Sequence, residues 1–139
     1  MDTKQQLFRI WSGDKMFYPC NPKYDTSILF NESGWEVFSH FTGKPKMLVS
    51  SINEKAKIME YIGILDRYGN LIFESDIVKI NGGHEYEVIW DQNNARWMLI
   101  SAKREGDEFG VYTHSIINGL VYTKPEVIGN IYENINLLK

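Results

Sequence analysis

The sequence predicts a β-rich α+β fold, and three observations carry that reading. Short apolar runs recur along the chain, each bounded by Gly, Asn, Asp or Pro. Apolar and polar residues alternate within several of these runs, while no stretch sustains a clean helical period. Aromatic residues make up 14% of the 139 residues, enough large side chains to fill small, curved layers of sheet without a covalent staple.

The elements follow in order. Leu7-Phe8-Arg9-Ile10-Trp11 places Phe8 and Ile10 on one strand face. Ser12-Gly13-Asp14-Lys15 supplies turn residues, and Met16-Phe17-Tyr18 returns as the second arm of a hairpin before Pro19. Residues 20–27, with Pro22 and several polar side chains, read as loop. After the Ser33-Gly34 turn, Glu36, Phe38 and His40 alternate with Trp35, Val37, Ser39 and Phe41 as in a half-buried strand. Residues 59–65 are apolar-rich, and Asp66-Arg67-Tyr68-Gly69-Asn70 is a strong turn. Leu71-Ile72-Phe73, Ile77-Val78-Lys79-Ile80 and Glu85-Tyr86-Glu87-Val88-Ile89-Trp90 follow, the last two separated by Gly82-Gly83. Asp91-Gln92-Asn93-Asn94 turns the chain into Arg96-Trp97-Met98-Leu99-Ile100. Such a succession predicts a small, strongly curved meander or barrel, with Val127-Ile128-Gly129-Asn130-Ile131-Tyr132 as its closing strand. Residues 113–121 are expected to hold one or two helical turns, and residues 134–138 a terminal one.

Charge divides the chain. Residues 1–60 carry 8 Lys and Arg against 7 Asp and Glu, a net of +1, and residues 61–139 carry 7 against 11, a net of −4. The overall −3 argues against a protein that wraps nucleic acid or coats a membrane surface. No long flexible linker separates the halves, so a boundary near 57–62 is expected to be packed. The single cysteine, Cys20, forms no internal disulfide and suits a reducing compartment. The opening residues have no apolar segment of signal-peptide length, so a cytoplasmic setting is expected.

Three motifs then resemble one family, the YopX-like proteins of bacteriophages and prophages. The first is Phe8-Arg9-Ile10-Trp11 followed by Lys15-Met16-Phe17-Tyr18. The second has Gly63, Asp66 or its neighbour, Gly69, Ile72, Phe73, Glu74, Asp76, Ile77 and Val78 in matching places. The third is Val127-Ile128-Gly129-Asn130-Ile131-Tyr132-Glu133-Asn134, matched throughout. Departures are Ser12 for Asp, Ile62 for Thr, and Ser75 for Gly. The last matters most, because Gly permits a positive φ that Ser adopts only at a cost. The resemblance covers roughly residues 7–138. It implies a phage or prophage accessory protein with an SH3-like barrel in its second half, and it implies no activity.

Candidate chemistry is sparse. His40, His84 and His114 lie on separate segments, and His84 with Glu87 gives only a short His-x-x-Glu whose members face opposite sides of a strand. A surface turn histidine describes them better than a metal ligand. Cys20 carries no nucleophile signature, and a hydrolase centred on it or on a histidine is the weakest reading. Glu85 and Glu87 share a face opposite Tyr86 and Val88, as on a solvent-facing edge, and Asp107 with Glu108 forms an ordinary acidic pair. Gly82-Gly83 lacks the Lys and helix start of a phosphate loop. Gly69 and Gly129 suit turn and bulge geometry, and Asp76 suits a cap on the turn entering its strand.

Two interaction readings remain. Lys44, Lys46, Lys55 and Lys57 offer a basic region, and Trp35, Phe38, Tyr86, Trp90 and Trp97 are rings on which bases stack. Against nucleic acid stands the −4 of the second half; lysines beside a Pro and a polar loop also read as a plain solvated face. Protein assembly is the competing class, through exposed strand edges and surplus aromatics, with Trp35, Phe41, Trp90 and Trp97 as contacts or as core. Laid along the chain, Phe8, Trp11, Tyr18, Phe73, Trp90, Trp97 and Tyr132 read mainly as filling.

The expectation is one compact unit, with a β-hairpin-containing portion over residues 1–58 packed on an SH3-like barrel over 59–139. It is a non-enzymatic protein-interaction module without cofactor or metal, cytoplasmic in the bacterial host, and not membrane-bound. Its partner is a protein, the chain itself included as a homo-oligomer. The alternative is a nucleic-acid-associated accessory protein using the 44–57 region.

Overall fold

Turn chemistry and β-branched runs produce antiparallel pairing almost everywhere in the computed structural model, which describes residues 7–19, 26–40, 42–80, 85–101, 108–110, 116–117, 120–121 and 125–138. The chain divides into two units, Met1–Glu60 and Tyr61–Lys139.

In the first unit, β1 (Phe8–Trp11) and β2 (Met16–Phe17) form the expected hairpin, with Ile10 opposite Phe17 and Trp11 opposite Met16. Ser12 fixes its turn, donating from its N–H to the Lys15 carbonyl at 2.9 Å and from its hydroxyl to Asp14 at 2.7 Å. A three-stranded sheet follows, of β3 (Thr26–Asn31), β4 (Gly34–Ser39) and β5 (Lys46–Ser50), with β4 in the middle. The loop expected over 20–27 is corrected at its end, because β3 already begins at Thr26. Ile28, Leu29 and Phe30 favour the extended chain, and the cross-strand pairing of Thr26 with Ser39 and Ser27 with Phe38 outweighs the polar character of the two residues before them. The start of β6 (Lys57–Leu65) pairs with β1. Ile10, Val37, Val49 and Ala56 are buried together, and Phe17, Ile28, Trp35, Leu48 and Ile58 pack around them. Each fully buried aliphatic side chain of this kind contributes about 1.5–3 kcal/mol.

The second unit begins inside β6. Its far end pairs with β7 (Leu71–Phe73) across the 66–70 turn. Then come β8 (Asp76–Lys79), β9 (Glu85–Asp91), β10 (Arg96–Ile100) and β11 (Glu108–Gly110), a meander. A short pair, β12 (Ile116–Ile117) and β13 (Leu120–Val121), precedes β14 (Glu126–Asn130), which returns beside β8. The resulting five-stranded sheet, in order β11-β10-β9-β8-β14, curls into a half-barrel. Its core is Ile72, Val78, Tyr86, Val88 and Leu99, with Ile62, Ile64, Ile80, Trp97 and Val127 packed against them. The terminal turn expected over 134–138 is a 3₁₀ turn, Ile135–Leu138. It is the only helical element among the described residues, so the fold is β-rich with almost no helix. No helix among them is long and apolar enough to cross a membrane.

Two expectations are corrected here. The helical turns placed in 113–121 are replaced by β12 and β13, paired Ile116 to Val121 and Ile117 to Leu120. Ile116, Ile117 and Val121 are β-branched, and their preference for the extended chain prevails over weak helical character. Glu85 and Glu87 do not mark a solvent-facing edge either, since β9 lies at the centre of its sheet and both side chains are half-buried.

The second and third family motifs are bound to each other. Asp66, 2% exposed, accepts from the Tyr68 and Asn70 N–H groups at 2.8 Å each with one oxygen. Its other oxygen accepts from the Asn70 amide at 3.2 Å and the Val127 N–H at 3.1 Å. Burial alone raises the pKa of this carboxyl, but the four hydrogen bonds outweigh burial and hold it below the ordinary range. Asp76 caps its turn as expected, accepting from the Phe73 N–H at 2.8 Å. Between them Ser75 takes φ 69, the left-handed conformation its glycine counterpart reaches freely. It is held there from both sides: its N–H donates to the Val88 carbonyl at 2.8 Å, and its carbonyl accepts from the Ile131 N–H at 3.0 Å. Gly129 sits at a bulge where the register against β8 slips, and a Cβ there would lie 2.5 Å from the Asn134 Oδ1. Asn130 then closes the motif, its Oδ1 accepting from the Tyr132 and Glu133 N–H groups at 3.1 and 2.9 Å.

Candidate functional site

The β9–β10 hairpin carries the most developed surface feature. Its turn is organised by Asp91, which accepts from the Asn94 amide at 2.7 Å, the Asn93 N–H at 3.1 Å and Arg96 at 3.4 Å. The Asn94 hydrogen bond, joined by those from Arg96 and the backbone, holds the Asp91 carboxyl below the usual carboxylate range. With the turn fixed, Trp90 and Trp97 fall directly opposite each other. Their rings meet edge to face, centroids 5.1 Å apart at 66°. Trp97 packs on the core of its unit, while Trp90 is 41% exposed and donates its indole N–H to Gln92 at 2.9 Å. Trp90 therefore corrects the reading of the aromatics as filling. Its neighbour in sequence space, Tyr86, considered as a stacking ring, is buried.

The four lysines expected as a basic region, Lys44, Lys46, Lys55 and Lys57, are all exposed. None of the four is ion-paired among the described residues. They do not form one cluster. Lys44 and Lys46 lie at the beginning of β5, with Lys46 opposite Ser39. Lys55 lies against Gly13 in the β1–β2 turn, and Lys57 lies opposite Trp11. The length of β5, about 13 Å at 3.3 Å per residue, separates the two pairs. Trp35 is half-buried on the first unit's core, its N–H bonded to the Ser51 hydroxyl at 3.2 Å. An open cleft of about 500 Å³ lies beside the hairpin, lined by Asp14, Lys15, Phe17, Leu48, Val49 and Asn53 among others. The Lys15 ammonium lies 5.4 Å above the Phe17 ring there.

Among the described residues the remaining candidates gather into no reactive group. Cys20, Phe41, the Gly82-Gly83 pair, His84, Asp107 and His114 lie outside the described residues. The His40 Nε2 stands 2.7 Å from the Ser27 hydroxyl, joining β4 to β3. Among the described residues no three His, Cys, Asp or Glu side chains converge as metal ligands. Glu87 is half-buried, and burial first, with the nearby Glu74 charge second, raises its carboxyl above the ordinary value.

Sequence reasoning missed β3 as a surface. Its Leu29 and Phe30 are 52% and 55% exposed, and Met47 on β5 is 53% exposed. The signal was present in Ile28-Leu29-Phe30, an apolar run without a charge, which follows directly on the loop expected over 20–27 and falls in no expected element.

Comparison with known proteins adds the family. The family model described as YopX protein matches residues 7–139. The crystal structure of YopX from Bacillus subtilis is similar, with a TM-score of 0.72 at 24% identity, over 96% of this chain and 98% of that one. A crystal structure of a protein from Enterococcus faecalis gives a TM-score of 0.50 at 21% identity, again over 96% and 98%. At such identities the likeness concerns the fold alone. No curated protein matches. The family match spans both units and includes all three motifs, the second and third of which are hydrogen-bonded to each other; the chain belongs to the YopX family.

Proposed function

We propose that the protein is a non-enzymatic protein-interaction module, an accessory protein of a phage or prophage that works in the cytoplasm of the bacterial host. The observation that carries this reading is the Trp90–Trp97 pair. An exposed indole locked by a ring behind it and by Gln92 offers large contact area at little entropic cost, which is the character of an interface anchor. The phage setting rests on the motifs shared with the family. The second unit is read as an SH3-like barrel, supported by its strand order, in which a four-stranded meander is joined by a last strand returning beside the first.

The test places a photo-crosslinking residue at position 90 and, as a control, at exposed Asn70 in host cells carrying the phage. A discrete adduct at 90 alone is expected. The adduct's protein, purified, then binds the wild-type chain and binds Trp90→Ser at least about ten-fold more weakly. Equal binding by the variant, or no adduct at 90, overturns the reading.

One observation favours nucleic acid as a second reading: four exposed lysines without ion-pair partners among the described residues. It requires DNA binding that weakens steeply with salt and weakens again when Lys55 and Lys57 become Gln. Binding indifferent to salt removes it.

A further inference from the structure

The sheet of the first unit has two edges, and they are guarded unequally. β5 begins with Lys46, preceded by Lys44 and Pro45, the residues that ordinarily blunt an edge. β3 is Thr26-Ser27-Ile28-Leu29-Phe30-Asn31, six residues without a charge, a proline or a bulge. Its register with β4 is regular throughout, and among the described residues no strand pairs with its far side. An edge of that kind presents a straight row of backbone donors and acceptors to any extended chain.

The pattern of β3 also selects the occupant. An antiparallel copy centred on Leu29 sets Leu29 against the partner's Leu29, Ile28 against the partner's Phe30, and Ser27 against the partner's Asn31. Apolar residues meet apolar ones, polar meet polar, and no like charges oppose each other along the strand. Because the central residue meets itself, the two-fold axis stands perpendicular to the sheet and each side chain keeps its face. Leu29, Phe38 and Met47 share one face through the β3–β4–β5 register, so their exposed parts continue into the same patch on the partner. A charged peptide finds no complementary charge on this strand.

We propose that β3 is the docking edge for a second copy of this chain, paired antiparallel about Leu29 to give a continuous six-stranded sheet with two-fold symmetry. The surface is separate from the Trp90 hairpin, so the two proposals fail separately.

Sedimentation of the full chain from micromolar to near-millimolar concentration reads the association. Wild type is expected to form a dimer. Leu29→Lys places two ammonium groups together at the axis and weakens association at least about ten-fold, and Leu29→Glu does the same with two carboxylates. Mixing the two variants restores dimer, which a misfolded variant cannot do. Ile52→Lys, in the exposed turn after β5 and outside this patch, leaves the dimer unchanged. A chain that stays monomeric across the range overturns the proposal. So does a dimer that survives Leu29→Lys, or a pair of variants whose mixture does not associate.

Discussion

The carboxylate of Asp66 accepts a hydrogen bond from the backbone N–H of Val127, 3.1 Å away and 61 residues further along the chain. With three more donors from its own turn, this side chain joins the turn after β6 to the last strand. Asp66→Ala leaves those buried donors without an acceptor and is expected to lower stability by about 1–3 kcal/mol. Urea unfolding measures it. Because the folded pKa lies below the unfolded one, the carboxylate's contribution is complete above the unfolded value and disappears as pH falls through the folded value. Asp66→Asn therefore lacks that acid-limb loss. An Asp66→Asn stability curve parallel to wild type below about pH 4 contradicts the account.

Glu87 predicts the opposite sign. Burial and Glu74 raise its folded pKa, so the charged form is penalised in the folded state and the penalty is complete above that value. Glu87→Gln is expected to be more stable than wild type at neutral pH. The gain fades as pH falls through the folded pKa towards the unfolded one. Thermal melts at several pH values show it, and an unchanged difference across the acid range counts against it.

Ser75 sits at φ 69 between two hydrogen bonds that hold it there. Replacing it with Gly removes about 1–2 kcal/mol of left-handed strain against a somewhat smaller loss of chain entropy. Ser75→Gly is expected to match or exceed wild type in stability, and Ser75→Val to fall below both. A stable Val variant would mean the strain has been misplaced.

At Gly129 the obstacle is a neighbour. A methyl group meets the Asn134 side chain at 2.5–2.9 Å, and Asn134 itself accepts from the Asn130 N–H at 3.2 Å. Gly129→Ala is expected to cost about 1–3 kcal/mol in denaturant unfolding. Gly129→Ala combined with Asn134→Gly should recover part of it, because the clash is with that side chain.

The two tryptophans of the hairpin should separate in a stability assay. Trp97→Ala removes contacts from the core of the second unit and is expected to cost about 2–4 kcal/mol. Trp90→Ala loses chiefly the ring pair, about 0.5–1.5 kcal/mol. Equal losses would make Trp90 a core residue.

Local signals were legible in the sequence where the chain pairs with its near neighbour. The hairpin at Trp11 and Met16, the 66–70 turn and the β9–β10 hairpin all combine alternation with turn residues. The return of β14 to β8 was expected only as a closing strand, since no local pattern names a partner so far upstream. The split of the lysines was hidden for the same reason: closeness in sequence between Lys46 and Lys55 says nothing of the strand that parts them. Glu87 looked solvated because period two reveals which side chains share a face, and sheet order alone decides whether that face is at a rim or a centre. Trp90 and Trp97 have the same residue type and the same turn between them. Which one reaches solvent depends on sheet curvature, which the alternation does not encode.

The bonds from Val127 to Asp66 and from Ile131 to Ser75 also have a consequence in time. During synthesis β8, β9 and β10 can pair as soon as they leave the ribosome, since their contacts are local. The 66–70 turn and the strained Ser75 still wait for partners near the far end of the unit. One flank of β8 stays bare until residues 126–130 emerge. Sealing of the second unit is thus the last step of its folding, and a chain ending just before Glu126 would present an acidic, half-closed sheet with an open flank. Proteolysis of released chains with and without residues 126–138 reads that order directly.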